Sequence, residues 1–448
     1  AQKAELTRGS VWTERELAFS LAPGALKTVT GTNPVLKDPN VSGRTVTIEA
    51  NLGIGETVRD GAGVAGVSIR SDLDPRNLTL DQKVALAAAE RNDLQLTVGP
   101  VNLPAGASVD QIAAYNAAVA LGLNAPGSLT KLNLGAEFDS LSPVQQAALN
   151  AAALGLVSAS NTTLTVLSKR PVNFRAVEAL NITVPNVSDA AKPDVGGAFL
   201  ASRGSATLGN ISTFGDTRIK VYGNITNAPV SLVQTGNLIL EAAQGSIGTF
   251  TDALTLSPRS GATTTARSQN GVNIAFTGTG LIDTVYSPQK VKLVAQNLLL
   301  NAQDDELINV LGANVELASI NGSIGRAERS LNVGVGLKGH ITANARQEVN
   351  LFGSANTLFI IGSASSKTGG TIRLGAAGQG VIDGLVETAG TINIATGGRT
   401  LFTAIGDVHS VAGLVDINSA SLKMLNGAQI RADAGQVIVD TDEDALVT

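Results

Sequence analysis

The chain has no cysteine, one Met, one Trp, two His and only 3% aromatic residues in 448 positions. Without Cys there is no disulfide framework, thiolate zinc site, iron–sulfur cluster or thiol nucleophile. The aromatic shortage argues against an ordinary globular core, which relies on large rings. Charged residues make up 15%, and the net charge is −5. That balance excludes the clustered basic face of a nucleic-acid binder. The longest apolar stretches, such as Ala147–Val157, are too short to span a bilayer as a helix. Nothing at the N-terminus reads as a signal peptide, and residue 1 is Ala. The expectation is therefore a mature product or an excised fragment.

What is present is aliphatic and repetitive. Hydrophobic residues are 43% of the chain, which excludes disorder, and Gly is 49 residues with no three-residue period. An aliphatic–x–aliphatic triplet recurs beside Gly or Asn. It begins at Ile219, Leu238, Val272, Val291, Val315, Val349, Ile372, Ile392, Val415 and Val437, with spacings of 19, 34, 19, 24, 34, 23, 20, 23 and 22. Period-two alternation is a strand signal, and a strand every twenty-odd residues predicts a parallel β-solenoid. Right-handed coiling is the default for parallel crossovers. Aliphatic residues then stack inside the tube, polar ones face water, and Gly and Asn turn the corners. A narrow tube has little room for rings, so the fold itself accounts for their scarcity.

A longer repeat overlies the short one. Asn237–Gly248 matches Asn314–Gly325 at an offset of 77, and the triplets at 272 and 349 are also 77 apart. Both 34-residue gaps follow the matching Gly-Ser-Ile-Gly strands. This predicts a duplicated block of three turns within a regular portion spanning 191–448.

The portion 1–190 carries further triplets at Val46, Val67, Leu96, Leu132, Leu164 and Ile182. Counting one turn per triplet predicts sixteen turns and one continuous solenoid. Ala-rich segments at about 80–92, 109–121 and 143–154 each follow a capping signature: Thr79-x-x-Gln82, Ser108-x-x-Gln111 and Ser142-x-x-Gln145. They predict three short α-helical insertions in the N-terminal third, which seal the tube's side or bind a partner.

Candidate sites are few. Acidic clusters occur at Asp304, Asp305 and Glu306 and at Asp440, Asp442, Glu443 and Asp444. Either suits the oxygen chemistry of Ca²⁺, although the calcium-binding Gly-Gly-x-Gly-x-Asp pattern is absent. A solvated corner for the first and a polar C-terminal cap for the second are the favoured readings, so no cofactor is expected and Ca²⁺ is the weaker alternative. His340 and His409 stand 69 residues apart without a ligand pattern and read as surface histidines. Gly375–Gly380 lacks the Lys-Ser/Thr of a phosphate loop and reads as a corner. Tyr222 and Tyr286, with Trp12 and Tyr115, are the supply of Tyr and Trp for stacking on sugars. Tyr222 and Tyr286 are the pair placed to share a face for glycan contact.

Asn237–Gly248, with Gly390-Thr391-Ile392-Asn393-Ile394, resembles the repeats of large bacterial exoproteins, the filamentous-haemagglutinin-like and biofilm-matrix adhesins. The resemblance covers about 200–440. It implies a secreted, cell-surface rod that is not an enzyme and that meets polysaccharides, cell-surface glycans or other copies of itself. Two other readings stay open. A polysaccharide lyase or hydrolase needs carboxylates converging from successive turns. A surface-layer or sheath subunit needs lateral contacts, for which the helical insertions are suited.

Overall fold

The computed structural model describes residues 39–59, 64–65, 94–98, 100–107, 109–125, 130–133, 142–144, 147–148, 151, 156, 162–170, 172–185, 196–302, 308–336, 338–353, 358–443 and 445–447. The chain divides into two compact units. One comprises 1–37 and 56–171, the other 38–55 and 172–448.

The second unit is a parallel β-solenoid, and the fold has about 11 turns. At the usual spacing between strands that stack is roughly 50 Å long. Strand Val41–Glu49 pairs in parallel with Val172–Val184, and every ladder beyond it is parallel except for isolated bridges. Inward residues stack in columns. Ile225, Ile247, Val272, Val291, Val315, Ile341, Ile361, Ile382 and Phe402 form one, all at most 3% exposed. Leu299, Ile324, Val349, Ile372, Ile392 and Val415 form another, fully buried. Each such side chain contributes about 1.5–3 kcal/mol by leaving water.

Corners are closed by a hydroxyl followed by a glycine. Ser366, Thr388 and Ser410 each accept a bond from the N–H of Gly370, Gly390 and Gly413, at 2.9, 3.1 and 2.9 Å. The same hydroxyls donate to carbonyls one turn back, Thr388 to Gly370 at 2.7 Å and Ser410 to Gly390 at 2.6 Å. Ser319 repeats the pattern with Gly322 and the Asn297 carbonyl. A buried hydroxyl is thereby fully satisfied, and each corner is tied to its predecessor.

The 77-residue duplication is a structural one. Gly248 and Gly325 have φ of 70° and 69°. Asn273 Nδ2 donates to the Thr249 carbonyl, as Asn350 Nδ2 does to Arg326. Asn237 Oδ1 accepts from the N–H of Thr263, as Asn314 Oδ1 does from His340, both at 3.0 Å. Each 34-residue gap holds a pair of extra strands, Leu254–Leu256 and Thr263–Ser268 in the first copy and Leu331–Val335 and Ile341–Ala345 in the second, each bonded to strands of neighbouring turns. The second strand of each pair stacks Ala and Thr or Ile inward, so the triplet pattern passes over it. The two copies enter different columns, one through Val272 and the other through Val349. Asn237→Ala and Asn314→Ala should each cost about 1 kcal/mol, the worth of one such bond. Urea denaturation of the two variants checks this, and a cost at only one of them breaks the equivalence.

The first unit departs from the sequence reading. The triplets at Leu96, Leu132 and Leu164 lie in an antiparallel sheet, not in solenoid turns. Thr162–Arg170 pairs antiparallel with Glu56–Arg59, Val64–Ala65 and Leu94–Val98, and Leu94–Val98 pairs with Thr130–Asn133. The 56–171 part of this unit is inserted between Gly55 and Val172, inside the solenoid's sequence. The expected continuous solenoid of sixteen turns is corrected accordingly, because alternation marks a strand but not its partner's direction. Val46 and Ile182 are true turns, and their strands pair with each other. Val67 lies outside the described residues. Of the three expected helices, 109–121 is Val109–Ala120, ended by Gly122 at φ 77°. In 143–154 the described residues Pro143, Val144, Ala147, Ala148 and Ala151 are helical, and 80–92 lies outside the described set. No helix among the described residues is long and apolar enough to cross a membrane.

Candidate functional site

The outward side chains of stacked strands form rows, and charges one turn apart meet along them. In one row Lys220, Glu241, Arg267 and Tyr286 follow in register. Glu241 is 1% exposed; its Oε1 takes Arg218 at 2.7 Å and its Oε2 takes Lys220 at 3.1 Å. Burial pushes the Glu241 carboxyl up, but Arg218 and then Lys220 outweigh it and hold it below its ordinary range. Burial, the largest influence on Lys220, lowers its ammonium; Glu241 opposes this and Arg218 adds to it. Beyond Glu241, the Arg267 guanidinium lies 5.8 Å from the Tyr286 ring centre. Thr265 donates to Asp283 at 2.6 Å on the same face.

The two histidines are tied to carboxylates of other turns. His340 Nε2 is 2.5 Å from Asp383 Oδ2, and Thr403 donates to Asp383 Oδ1 at 2.5 Å. The Thr403 bond, ahead of the His340 contacts, lowers the Asp383 carboxyl against a smaller opposing effect of burial. The order is Thr–Asp–His with the carboxylate in the middle. That arrangement ties turns together but sets no hydroxyl against the imidazole as a nucleophile. His409 lies between Glu387 at 3.9 Å and Asp433 at 3.0 Å, and Arg431 reaches Asp407 at 2.7 Å.

The residues singled out from the sequence are scattered. Asp304, Asp305 and Glu306 lie outside the described residues. Asp440 stands opposite Asn418 in the last turns, and Asp442 follows in the next corner. Among the described residues no three His, Asp or Glu groups are placed to hold a metal ion. Tyr222 is 41% exposed, just past the Lys220 strand, whereas Tyr286 sits three strands along that row. Three steps put them roughly 14 Å apart. They therefore offer no joint platform for a single ring. Gly375–Gly380 is the end of one strand, a corner and the start of the next.

Three features were not singled out from the sequence: the Glu241 pairing, the partnership of Asp383 with His340, and the exposure of Phe250. Phe250 is 85% exposed at a turn tip. The signal for the pairings is a separation near one or two turn lengths: 23 residues for Arg218 and Glu241, 24 for His409 and Asp433, 43 for His340 and Asp383. Comparison of the chain with protein-family models, with curated proteins and with solved structures finds no match.

Proposed function

We propose that this solenoid is a non-catalytic, extracellular shaft of a bacterial surface or biofilm-matrix protein, which contacts glycans along its side. The observation that carries the reading is the way turns are tied to one another. Corner hydroxyls, buried aliphatic columns and ion pairs all join successive turns, so each turn is held by its neighbours along the stack. Charges largely close on each other, and the remaining outer rows are rich in Asn, Ser and Thr, such as Asn344 bonded to Ser365 at 2.8 Å. Such a face suits weak, multiple hydrogen bonding to sugar hydroxyls. The likeness of Asn237–Gly248 to exoprotein repeats points the same way.

The test is to incubate the purified chain with bacterial and host polysaccharides and score retention and release of new chain ends together. Retention without release is the expected result. Release of chain ends overturns the non-catalytic reading, and neither retention nor release overturns glycan contact.

A further inference from the structure

Phe250 is the most exposed aromatic ring among the described residues. Phe174, Phe276, Phe359 and Phe402 are each at most 3% exposed, against 85% for Phe250. Its turn is rigid. The Thr249 N–H donates to the Asp252 carbonyl at 2.7 Å, the Asp252 N–H donates to Thr249 Oγ1 at 2.9 Å, and Thr251 donates to Asp252 Oδ2 at 3.2 Å. Asn273 on the next turn holds the Thr249 carbonyl at 2.7 Å. The ring is thus presented on a fixed support.

The duplicated block supplies an internal control. The equivalent turn, Arg326–Arg329, is closed by backbone bonds of 2.8 and 3.1 Å and held by Asn350 in the same way. It places Ala327 where the first copy has Phe250. The turn therefore forms without an aromatic, and the exposed ring at 250 serves no evident folding purpose. Covering the ring with a ligand would remove its apolar face from water.

The surroundings of the ring indicate what covers it. Lys290 Nζ lies 5.4 Å from the ring centre and donates to Glu316. Thr249, Thr251 and Asp252 flank Phe250 in its turn. An aromatic face bordered by hydroxyl, carboxylate and ammonium groups matches a sugar ring, which has a C–H face and a rim of hydroxyls. An anionic lipid surface fits poorly, since Asp252 lies in the Phe250 turn itself and Glu316 accepts from Lys290.

We propose that Phe250 is the stacking platform of a glycan-binding site for a neutral sugar ring, with Lys290, Glu316 and Asp252 as its hydrogen-bonding rim. This rests on the reading of the solenoid as a glycan-contacting shaft and places one contact on it.

The test measures retardation of the full chain by soluble neutral β-glucan, mannan and galactan, with a polyuronate and phosphatidylcholine vesicles as comparators. The wild-type chain should bind one of the neutral polymers. Phe250→Ala should weaken that binding at least about tenfold, and Phe250→Trp should preserve it. The Ala variant should keep its circular dichroism and urea midpoint, as the Ala327 turn implies. Equal glycan binding by wild type and Phe250→Ala overturns this site while leaving the shaft reading intact. Binding of the polyuronate in preference to every neutral polymer overturns the neutral-sugar assignment. Loss of vesicle binding alone reassigns the ring to lipid and overturns the proposal. Failure of the wild type to bind any glycan overturns both.

Discussion

Gly390→Ala should cost the solenoid about 3 kcal/mol, at the upper end of the usual range for overpacking. The reason is space, not backbone angle. A Cβ on Gly390 falls 2.1 Å from the Gly369 carbonyl oxygen and 2.9 Å from that of Gly370. Both obstacles are backbone and cannot swing aside. The corner is also held from both sides, since Gly390 N–H bonds Thr388 and its carbonyl accepts from Ser410. The same collision recurs up the column: Gly370 meets the Gln347 oxygen at 2.0 Å, Gly413 the Gly390 oxygen at 2.4 Å and Gly435 the Gly413 oxygen at 1.9 Å. Turns approach one another here at backbone contact distance, so a single methyl group must push neighbouring turns away from each other. Gly278, with nothing within 4 Å of its Cβ, is the control, and Gly278→Ala should stay within about 0.5 kcal/mol. Stacked turns interact mainly with their neighbours, so the damage should be local. Amide hydrogen exchange should show protection lost around 366–415 and kept around 225–300. Equal behaviour of the two Ala variants would contradict the steric account.

Much of this was legible in the chain itself. The triplets at 219 to 437 mark real strands because a tube with buried aliphatic columns imposes period two locally and one turn length globally. The Asn237–Gly248 repeat was legible because the same side chains do the same work in both copies. The antiparallel sheet was not, since Leu96-Thr97-Val98 alternates just as Val272-Asn273-Ile274 does. Its spacing is no guide either: 36 and 32 residues separate the starts at 96, 132 and 164, close to the 34-residue gaps within the solenoid. The candidate site was legible in a different register. Scanning for carboxylates near a histidine in sequence finds nothing at His340, because its partner is two turns away. Phe250 was hidden for another reason. Exposure of a lone ring between two threonines depends on where the turn points, which local pattern does not encode.

Glu241→Gln should destabilise by about 3–5 kcal/mol, the range for breaking a buried ion pair from one side. The amide keeps the shape but leaves Arg218 and Lys220 facing each other, with side chains only 12% and 15% exposed. Lys220→Met should behave oppositely. Burial outweighs Glu241 in setting the Lys220 ammonium, which sits below its ordinary value of 10.5, so the charged form is a net cost at neutral pH. Replacing it by a chain of similar volume leaves the Arg218–Glu241 bond at 2.7 Å and should be neutral or stabilising. The pH dependence separates the two groups. The Glu241 carboxyl is lowered from 4.5 in the folded state, so its contribution is fully present above that value and is lost as pH falls through the folded one. Lowering of the Lys220 ammonium makes the unfolded chain bind more protons in the alkaline range. Stability from this group therefore rises with pH between its folded value and 10.5. Glu241→Gln should flatten the acid limb of a stability–pH profile, and Lys220→Met should flatten the alkaline rise and only shrink the acid limb, since Arg218 still lowers the Glu241 carboxyl. If Lys220→Met destabilised as much as Glu241→Gln, the lysine would be a net contributor to the pair, and burial would not be the dominant influence on this face.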